Sequence, residues 1–285
     1  MKTNIFSIIV IMLIGIMAMG FTNKANSKNS ILIQSTDKNV SEAALTQSAK
    51  IISNRLKDFS SEKFKLTVMP EKNQIEVVFT DNRDLKVDEK LLTQKGNIGF
   101  YTTFNRKSLS ELLKGDNHLF SLLNSSNTND IGAKIDCCSV SEITKMNNYL
   151  QSLEQNPVCK FVWSQPSESS EVCLYALRLE AKGALLSGTD IESMKSGQEK
   201  GTKIQYVGIN FKKPAIALWA NITKQNIGNP IAIVLDNTVL CAPIIRSVIE
   251  GGKCSITGDF TQTEVKFFAA LGNNGELPIS FNVLK

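Results

Sequence analysis

The sequence predicts an α+β fold, and three observations carry that reading. Short runs such as "QIEVVF" (Gln74–Phe79) alternate apolar and polar residues, the pattern of a strand with one face on a core. Leu45, Ala49, Ile52, Leu56 and Phe59 recur at 4-3-4-3 spacing, the stripe of an amphipathic helix. Two capping boxes, Ser139 with Glu142 and Thr261 with Glu264, mark helix starts further along.

Taken in order, the chain opens with Met1-Lys2-Thr3-Asn4 and an uncharged run over residues 5–21. A short positive start before an apolar core is the pattern of an export signal. Ala18 and Gly20 supply the small residues a signal peptidase needs, while the 17-residue run also suits an uncleaved membrane anchor. Residues 1–21 are therefore a signal peptide or an anchor, 22–30 a polar spacer, and the remainder is expected on the periplasmic side of the cell envelope.

From residue 31, "ILIQST" is a strand and Ser41 caps the helix that carries the stripe. "FKLTV" and "QIEVVF" form a hairpin across Pro70-Glu71-Lys72-Asn73. A short helix over 87–94 stops at Gly96, and "NIGFYTTF" is the next strand. This block reads βαββαβ with helices on one face, a ferredoxin-like pattern. Beyond residue 105 come short amphipathic helices over 107–115 and 117–124, the capped helix after Ser139, and strands at 158–163 and 172–179 around "SQPSESS". "TDIESMKSG" is expected to be a small helix. "KIQYVGINF" is a strand with Val207, Ile209 and Phe211 on one face, and Pro214 begins another helix. "IAIVLD" and "TVLCA" form a hairpin turning at Asp236-Asn237, a pair that tolerates positive φ. Pro243 limits the second strand. Gly251-Gly252 makes a turn into "KCSIT", Thr261 opens "EVKFFAAL", and "LPISFNVL" closes as a strand.

Composition narrows the function classes. With 42% hydrophobic and 21% charged residues the chain is globular, and a net charge of +5 without clustering does not point to nucleic acid. Gly251-Gly252-Lys253 lacks the first glycine of a phosphate loop, has Cys254 in place of Ser or Thr, and leads into a strand. No G-x-S-x-G elbow occurs. A single histidine, His118, leaves little for a His-based metal site or triad. Cys137-Cys138 is not a C-x-x-C motif. Asp236 reads as a turn former, and Trp163, Trp219, Phe161 and Phe211 as core packing. No catalytic, cofactor-binding or metal-ligating residue is assigned. Six cysteines in an exported chain permit disulfides, with Cys159–Cys173 flanking a hairpin and Cys241–Cys254 in neighbouring strands as the expected pairs.

Residues 228–261, "GNPIAIVLDNTVLCAPIIRSVIEGGKCSITGDFT", closely resemble the SecD family, translocase accessory subunits of Sec-dependent export. The matching positions are Gly228, Pro230, Asp236, Ala242, Pro243, Gly251, Gly252, Ile256, Thr257, Gly258 and Phe260. Of these, Gly228, Pro230, Asp236, Pro243, Gly252 and Gly258 serve as a structural fold signature. "ELP" (276–278), "SAKIISNRLKDF", "QIEVVF" and "KGNIGFYTTF" extend the resemblance. The G-L-D-L-x-G-G stretch that opens the SecD periplasmic domain is missing, Cys241 replaces a common Ser, and the spanning helices that follow in SecD have no counterpart. The resemblance implies the first periplasmic domain of SecD. Its ferredoxin-like base is expected over 31–105 and 259–285, with an inserted α+β head subdomain over 106–258. It further implies non-enzymatic assistance to export through contact with exported polypeptide or Sec translocase subunits, and contact with the membrane through residues 5–21 if these are uncleaved. Two competing readings are an envelope binding module that reuses the fold for another ligand and a cysteine-dependent enzyme.

Overall fold

A computed structural model describes residues 29–60, 63–81, 84–115, 118–123, 132–153, 157–167, 169–181 and 183–284. The expected signal or anchor, and the spacer up to residue 28, lie outside the described residues. Strand β1 (Ser30–Ser35) leads to α1 (Glu42–Phe59), whose first turn is capped by the Ser41 side chain accepting from Ala44 N. Strands β2 (Phe64–Met69) and β3 (Gln74–Phe79) follow, joined by a 3-10 turn that ends with Asn73 in the left-handed region. Then come α2 (Lys86–Thr93) and β4 (Ile98–Phe104).

The middle of the chain contains α3 (Arg106–Leu112), α4 (His118–Leu122), β5 (Lys134–Ser139), α5 (Ile143–Leu153), β6 (Cys159–Ser164) and β7 (Glu171–Arg178). The last third contains β8 (Leu186–Ser187), β9 (Ile191–Gln198), β10 (Gln205–Phe211), α6 (Lys213–Gln225), β11 (Ile231–Leu235) and β12 (Thr238–Cys241). Strand β13 (Lys253–Thr257), α7 (Gln262–Asn274) and β14 (Phe281–Leu284) complete it.

Three sheets organise these elements. A four-stranded antiparallel sheet runs β14-β1-β3-β2, and in β1 and β3 every second residue is buried. That buried face packs with α1 and α7 into one apolar core that includes Ile33, Leu45, Ile52, Ile75, Phe268 and Leu271. The fourth position beside β1 belongs to β14, not to β4. Strand β4 instead sits in a seven-stranded sheet, β5-β7-β6-β12-β11-β4-β8, where Ile98 to Thr102 pair with β11 and Thr103 and Phe104 pair with β7. The reason is burial. Ile98, Gly99 and Phe100 are consecutive buried residues, which suits a strand covered on both faces better than a sheet edge.

The third sheet is β13-β10-β9. Residues 191–198 are a strand, not the expected small helix; only a 3-10 turn at Gly188–Asp190 precedes it. Ile191 and Met194 are both buried at a spacing of three, which mimics a helix. The register explains this: Asn210 faces Ser193 and Phe211 faces Ile191, so Glu192 is bulged and the two apolar side chains reach the same face. Asn273 of α7 fastens this strand, accepting from Met194 N at 2.6 Å and donating to Met194 O at 3.0 Å.

A second core lies between α3, α4 and α5 and one face of the large sheet, built from Leu109, Leu119, Ile135, Met146, Leu150 and Leu174. The opposite face carries Val162, Tyr175, Leu177, Ala232, Val234 and Val239. One disulfide, Cys137–Cys173, links facing residues of β5 and β7. The two expected cysteine pairs are not formed. In the β6–β7 register Cys159 faces Arg178 while Leu174 faces Trp163, so Cys159 and Cys173 lie at opposite ends of the hairpin. Cys241 belongs to the seven-stranded sheet and Cys254 to the three-stranded one, and both are free.

Candidate functional site

An apolar groove of about 350 Å³ opens at the seam between the large sheet and the three-stranded sheet. Its floor is Trp219 from α6, Ile231 and Ile233 from β11, and Ile256 from β13, all buried. Its far wall is the segment 243–249, which carries Ile244 with 48% of its surface exposed. Four consecutive residues of β13, Lys253 to Ile256, line the groove. Side chains of a strand alternate between faces, so consecutive lining means that the edge of β13 itself borders the cavity. Strand β13 ends its sheet and pairs only with β10, which leaves outward backbone groups for a further strand.

Trp219 is locked in place by Phe100 and Phe211, with ring centroids 5.6 and 5.0 Å away. Its indole Nε1 is buried and has no acceptor. A buried indole N–H normally finds a partner, so this donor on a groove-lining residue is left for an acceptor that the described residues do not supply. Cys254 also lines the groove, but burial pushes its thiol up to about 12, so it is a neutral thiol at neutral pH rather than a nucleophile. Cys241 behaves alike, raised to about 12 by burial and then by the proximity of Cys254.

A polar junction holds the groove-bearing sheet to the four-stranded one. Arg55 projects from α1 and is fully buried. It donates to the carbonyls of Gln94 (2.6 Å), Lys95 (2.7 Å), Gly275 (2.6 Å) and Leu91 (3.3 Å). Burial pulls its pKa down to about 10, opposed by the charges of Asp236 and Glu276. Asp236, at the β11–β12 turn, accepts from Gly96 N at 2.9 Å and Asn97 N at 2.7 Å. Gly96 has φ +83°, and a Cβ there would collide with Arg55 Nη2. The C-terminal ends of α2 and α7 thus meet on one guanidinium of α1, and the β11–β12 turn is tied to the Gly96 and Asn97 amides beside it.

The six fold-signature residues fall at separate places rather than in one site. Asp236 and Asn237 both have positive φ (47° and 65°) at the hairpin turn, where Asp236 joins the Arg55 junction. Gly228 and Pro230 line a second, polar cavity. Pro243 lines the groove. Gly252, at φ +63°, lies against Ile216 with no room for a Cβ, and Gly258 packs under the Phe260 ring. Two short segments connect the cavities: Gly228 N donates to Ile245 O (2.8 Å), Ile245 N to Asn229 O (3.0 Å) and Ile231 N to Pro243 O (3.1 Å). Arg55 escaped the sequence reading although Ser48, Ile52, Arg55 and Phe59 stand at the same 4-3-4 spacing as the apolar stripe beside it. The orphan indole of Trp219 has no sequence signal at all.

Residues 168–279 match the family model of the SecDF P1 head subdomain. The SecD subunit of Syntrophobacter fumaroxidans is 35% identical over 101 residues, 35% of this chain and 19% of that protein. The SecD subunit of Calditerrivibrio nitroreducens is 39% identical over 80 residues, 28% of this chain and 16% of that protein. The matches thus span less than a fifth of these relatives' own length. Among solved structures, a SecDF chain, from a membrane component that enhances protein export, matches 90% of this chain and 98% of its own length at 20% identity and a TM-score of 0.54. SecDF in its super-membrane-facing form matches 92% of this chain and 32% of its own at 17% identity and a TM-score of 0.58. The mixed helix and strand architecture is accordingly that of SecDF chains, and the segment 168–279 is similar to the SecDF P1 head subdomain.

Proposed function

We propose that the chain is a non-enzymatic SecD-like accessory to protein export that holds an extended segment of exported polypeptide in the Trp219 groove. The observation that carries this reading is the meeting of three features in one place. They are an apolar floor, a strand edge with unpaired backbone groups, and a buried indole donor without an acceptor. An extended chain supplies apolar side chains to the floor, backbone groups to the edge of β13 and a carbonyl to Trp219 Nε1. The SecD relatives are protein translocase subunits, which supports a setting at the periplasmic face of the envelope next to the translocase. In this reading residues 5–21 deliver or anchor the chain. Elements β1, α1, β2, β3, α7 and β14 form a ferredoxin-like base, and the residues over 106–258, joined by β4, form the head that presents the groove. The fold-signature residues act structurally, as the turn, wall and junction positions described above.

The test is direct binding. Trp163, which donates to Asn147 Oδ1, is replaced by Phe so that Trp219 alone reports. An extended apolar peptide is expected to shift the Trp219 emission saturably, and Ile244→Asp to weaken binding at least tenfold by placing a charge on the rim. No spectral change up to millimolar peptide overturns the reading. In cells, a photo-crosslinker at position 244 is expected to capture a stalled export substrate of known sequence.

A further inference from the structure

The second cavity, about 460 Å³, is polar and carries one charge. It is lined by Thr102, Thr103, Asn105, Asn226, Asn229 and Arg178, with Gly228 and Pro230 at its wall. Arg178 is the last residue of β7 and is held from two directions. Its Nε donates to Thr103 O at 3.2 Å, and its guanidinium carbon stands 3.8 Å above the Phe104 ring. Among the described residues no carboxylate pairs with it, and neither Nη atom has a hydrogen-bond acceptor there. Thr103 Oγ1, in the same lining, is also buried without a partner. A half-buried guanidinium fixed by a ring and by its Nε leaves its Nη fork pre-aimed, the geometry that binds a planar oxyanion in bidentate fashion.

We infer that this cavity is a carboxylate site, with Arg178 as its cation, that takes a carboxylate of the polypeptide lying in the neighbouring groove. Charge selects the class. One cation amid neutral amides and hydroxyls matches a monoanionic carboxylate, whereas a phosphate dianion would keep an uncompensated charge in the cavity. Size selects the carrier. The cavity exceeds what a bare carboxylate fills, and its amide and hydroxyl lining matches the N–H and C=O groups of a peptide. Position supplies the link, because the 228–230 wall of the cavity is paired with the 244–245 wall of the groove, through Gly228 N to Ile245 O, Ile245 N to Asn229 O and the Pro230–Ile244 bridge. The inference rests on the groove reading: an acidic residue or chain end beside an apolar stretch would be held at both places.

The experiment uses the full chain and three fluorescein-labelled nine-residue peptides with the same apolar core, followed by anisotropy. One has a terminal Glu and an amidated end, one has Gln in its place, and the third has no acidic side chain but a free C-terminal carboxylate. The Glu peptide is expected to bind at least tenfold tighter than the Gln peptide at low salt. In Arg178→Gln the two should bind within twofold of each other, and Arg178→Lys, which keeps the charge without the fork, should retain at most a threefold preference. Tight binding of the third peptide that is lost in Arg178→Gln assigns the carboxylate to a chain end as well. Thermal unfolding of both variants within a few degrees of wild type excludes loss of fold. A Glu preference that survives Arg178→Gln, or equal binding of Glu and Gln peptides to wild type, overturns the carboxylate site and leaves the groove reading standing. If no peptide binds, the groove reading falls. N-acetylglutamate methylamide then decides the cavity alone, through Arg178-dependent shifts of the Thr102 and Thr103 amide resonances. Their absence overturns it.

Discussion

Replacing Arg55 with Leu removes the cation of α1 on which the C-terminal ends of α2 and α7 converge. Three of its hydrogen bonds, to Gln94, Lys95 and Gly275, are 2.7 Å or shorter. Lys95 O keeps a second donor, Leu277 N at 2.8 Å, so the carbonyls of Gln94 and Gly275 are the ones left without a donor, in a region with little access for water. An orphaned buried acceptor costs about 1–3 kcal/mol, so two amount to roughly 4 kcal/mol. Relief of guanidinium burial offsets part of this. The fall of the Arg55 pKa to about 10 corresponds to about 3 kcal/mol of unfavourable desolvation that Leu does not carry. The net loss is about 1 kcal/mol, a measurable fraction of the stability of an ordinary domain. Urea unfolding followed by circular dichroism should show the midpoint falling by roughly 0.5 M at unchanged slope. Arg55→Lys should fall between, since one ammonium cannot reach the 91–95 carbonyls and Gly275 O together. An unchanged or higher midpoint for Arg55→Leu would refute the argument, because it would mean that the carbonyls are hydrated or that the junction does not tie the sheets.

Gly96→Ala should destabilise by at least about 2 kcal/mol, measured by the same urea midpoint, since φ +83° and the Arg55 guanidinium both exclude a Cβ. Thiol titration should find four free thiols in unreduced, denatured protein and six after reduction, with the native protein reacting slowly at pH 7 because burial raises Cys138, Cys159, Cys241 and Cys254. Raised thiols favour the folded state while protonated, so their contribution is intact below about pH 9 and is lost as pH rises toward 12. Replacing Cys159, Cys241 and Cys254 with Ala should flatten that alkaline loss in pH-dependent unfolding. Reducing Cys137–Cys173, which closes a 36-residue separation, should lower stability by about 4 kcal/mol on the loop-entropy scale, and a Cys137→Ala, Cys173→Ala double variant should be insensitive to reductant.

What the sequence made legible was local. The stripe from Leu45 to Phe59, the Ser41 cap, the Asn73 turn and the Asp236-Asn237 turn are each set by neighbours within a few residues, and each appears where the residues place it. What it hid depends on distant partners. Strand β9 looked helical because a bulge at Glu192 restores a three-residue spacing to one face, which shows only once β10 lies beside it. The cysteine pairing required knowing that β5 borders β7 and in what register, and residues 134–139 carry no alternation that announces a strand. In the candidate site, Pro243 was legible as a signature position, but Trp219 read as plain core packing. Its unpaired N–H is a property of the surrounding cavity rather than of the residue.

The four-stranded sheet has a consequence for how the molecule is made. Strand β1 finds one neighbour, β3, within about 50 residues, but Leu32 meets Leu284 on its other side, about 250 residues later. Until that strand is synthesised, the outer edge of β1 stays open. Closing so long an unstructured loop costs roughly 3 kcal/mol more than closing a ten-residue turn. A folded middle removes most of that cost by bringing Phe79 and Gln262 to fixed positions. The β1–β14 edge is therefore expected to be the last part of this sheet to gain protection when refolding is followed by pulsed hydrogen exchange.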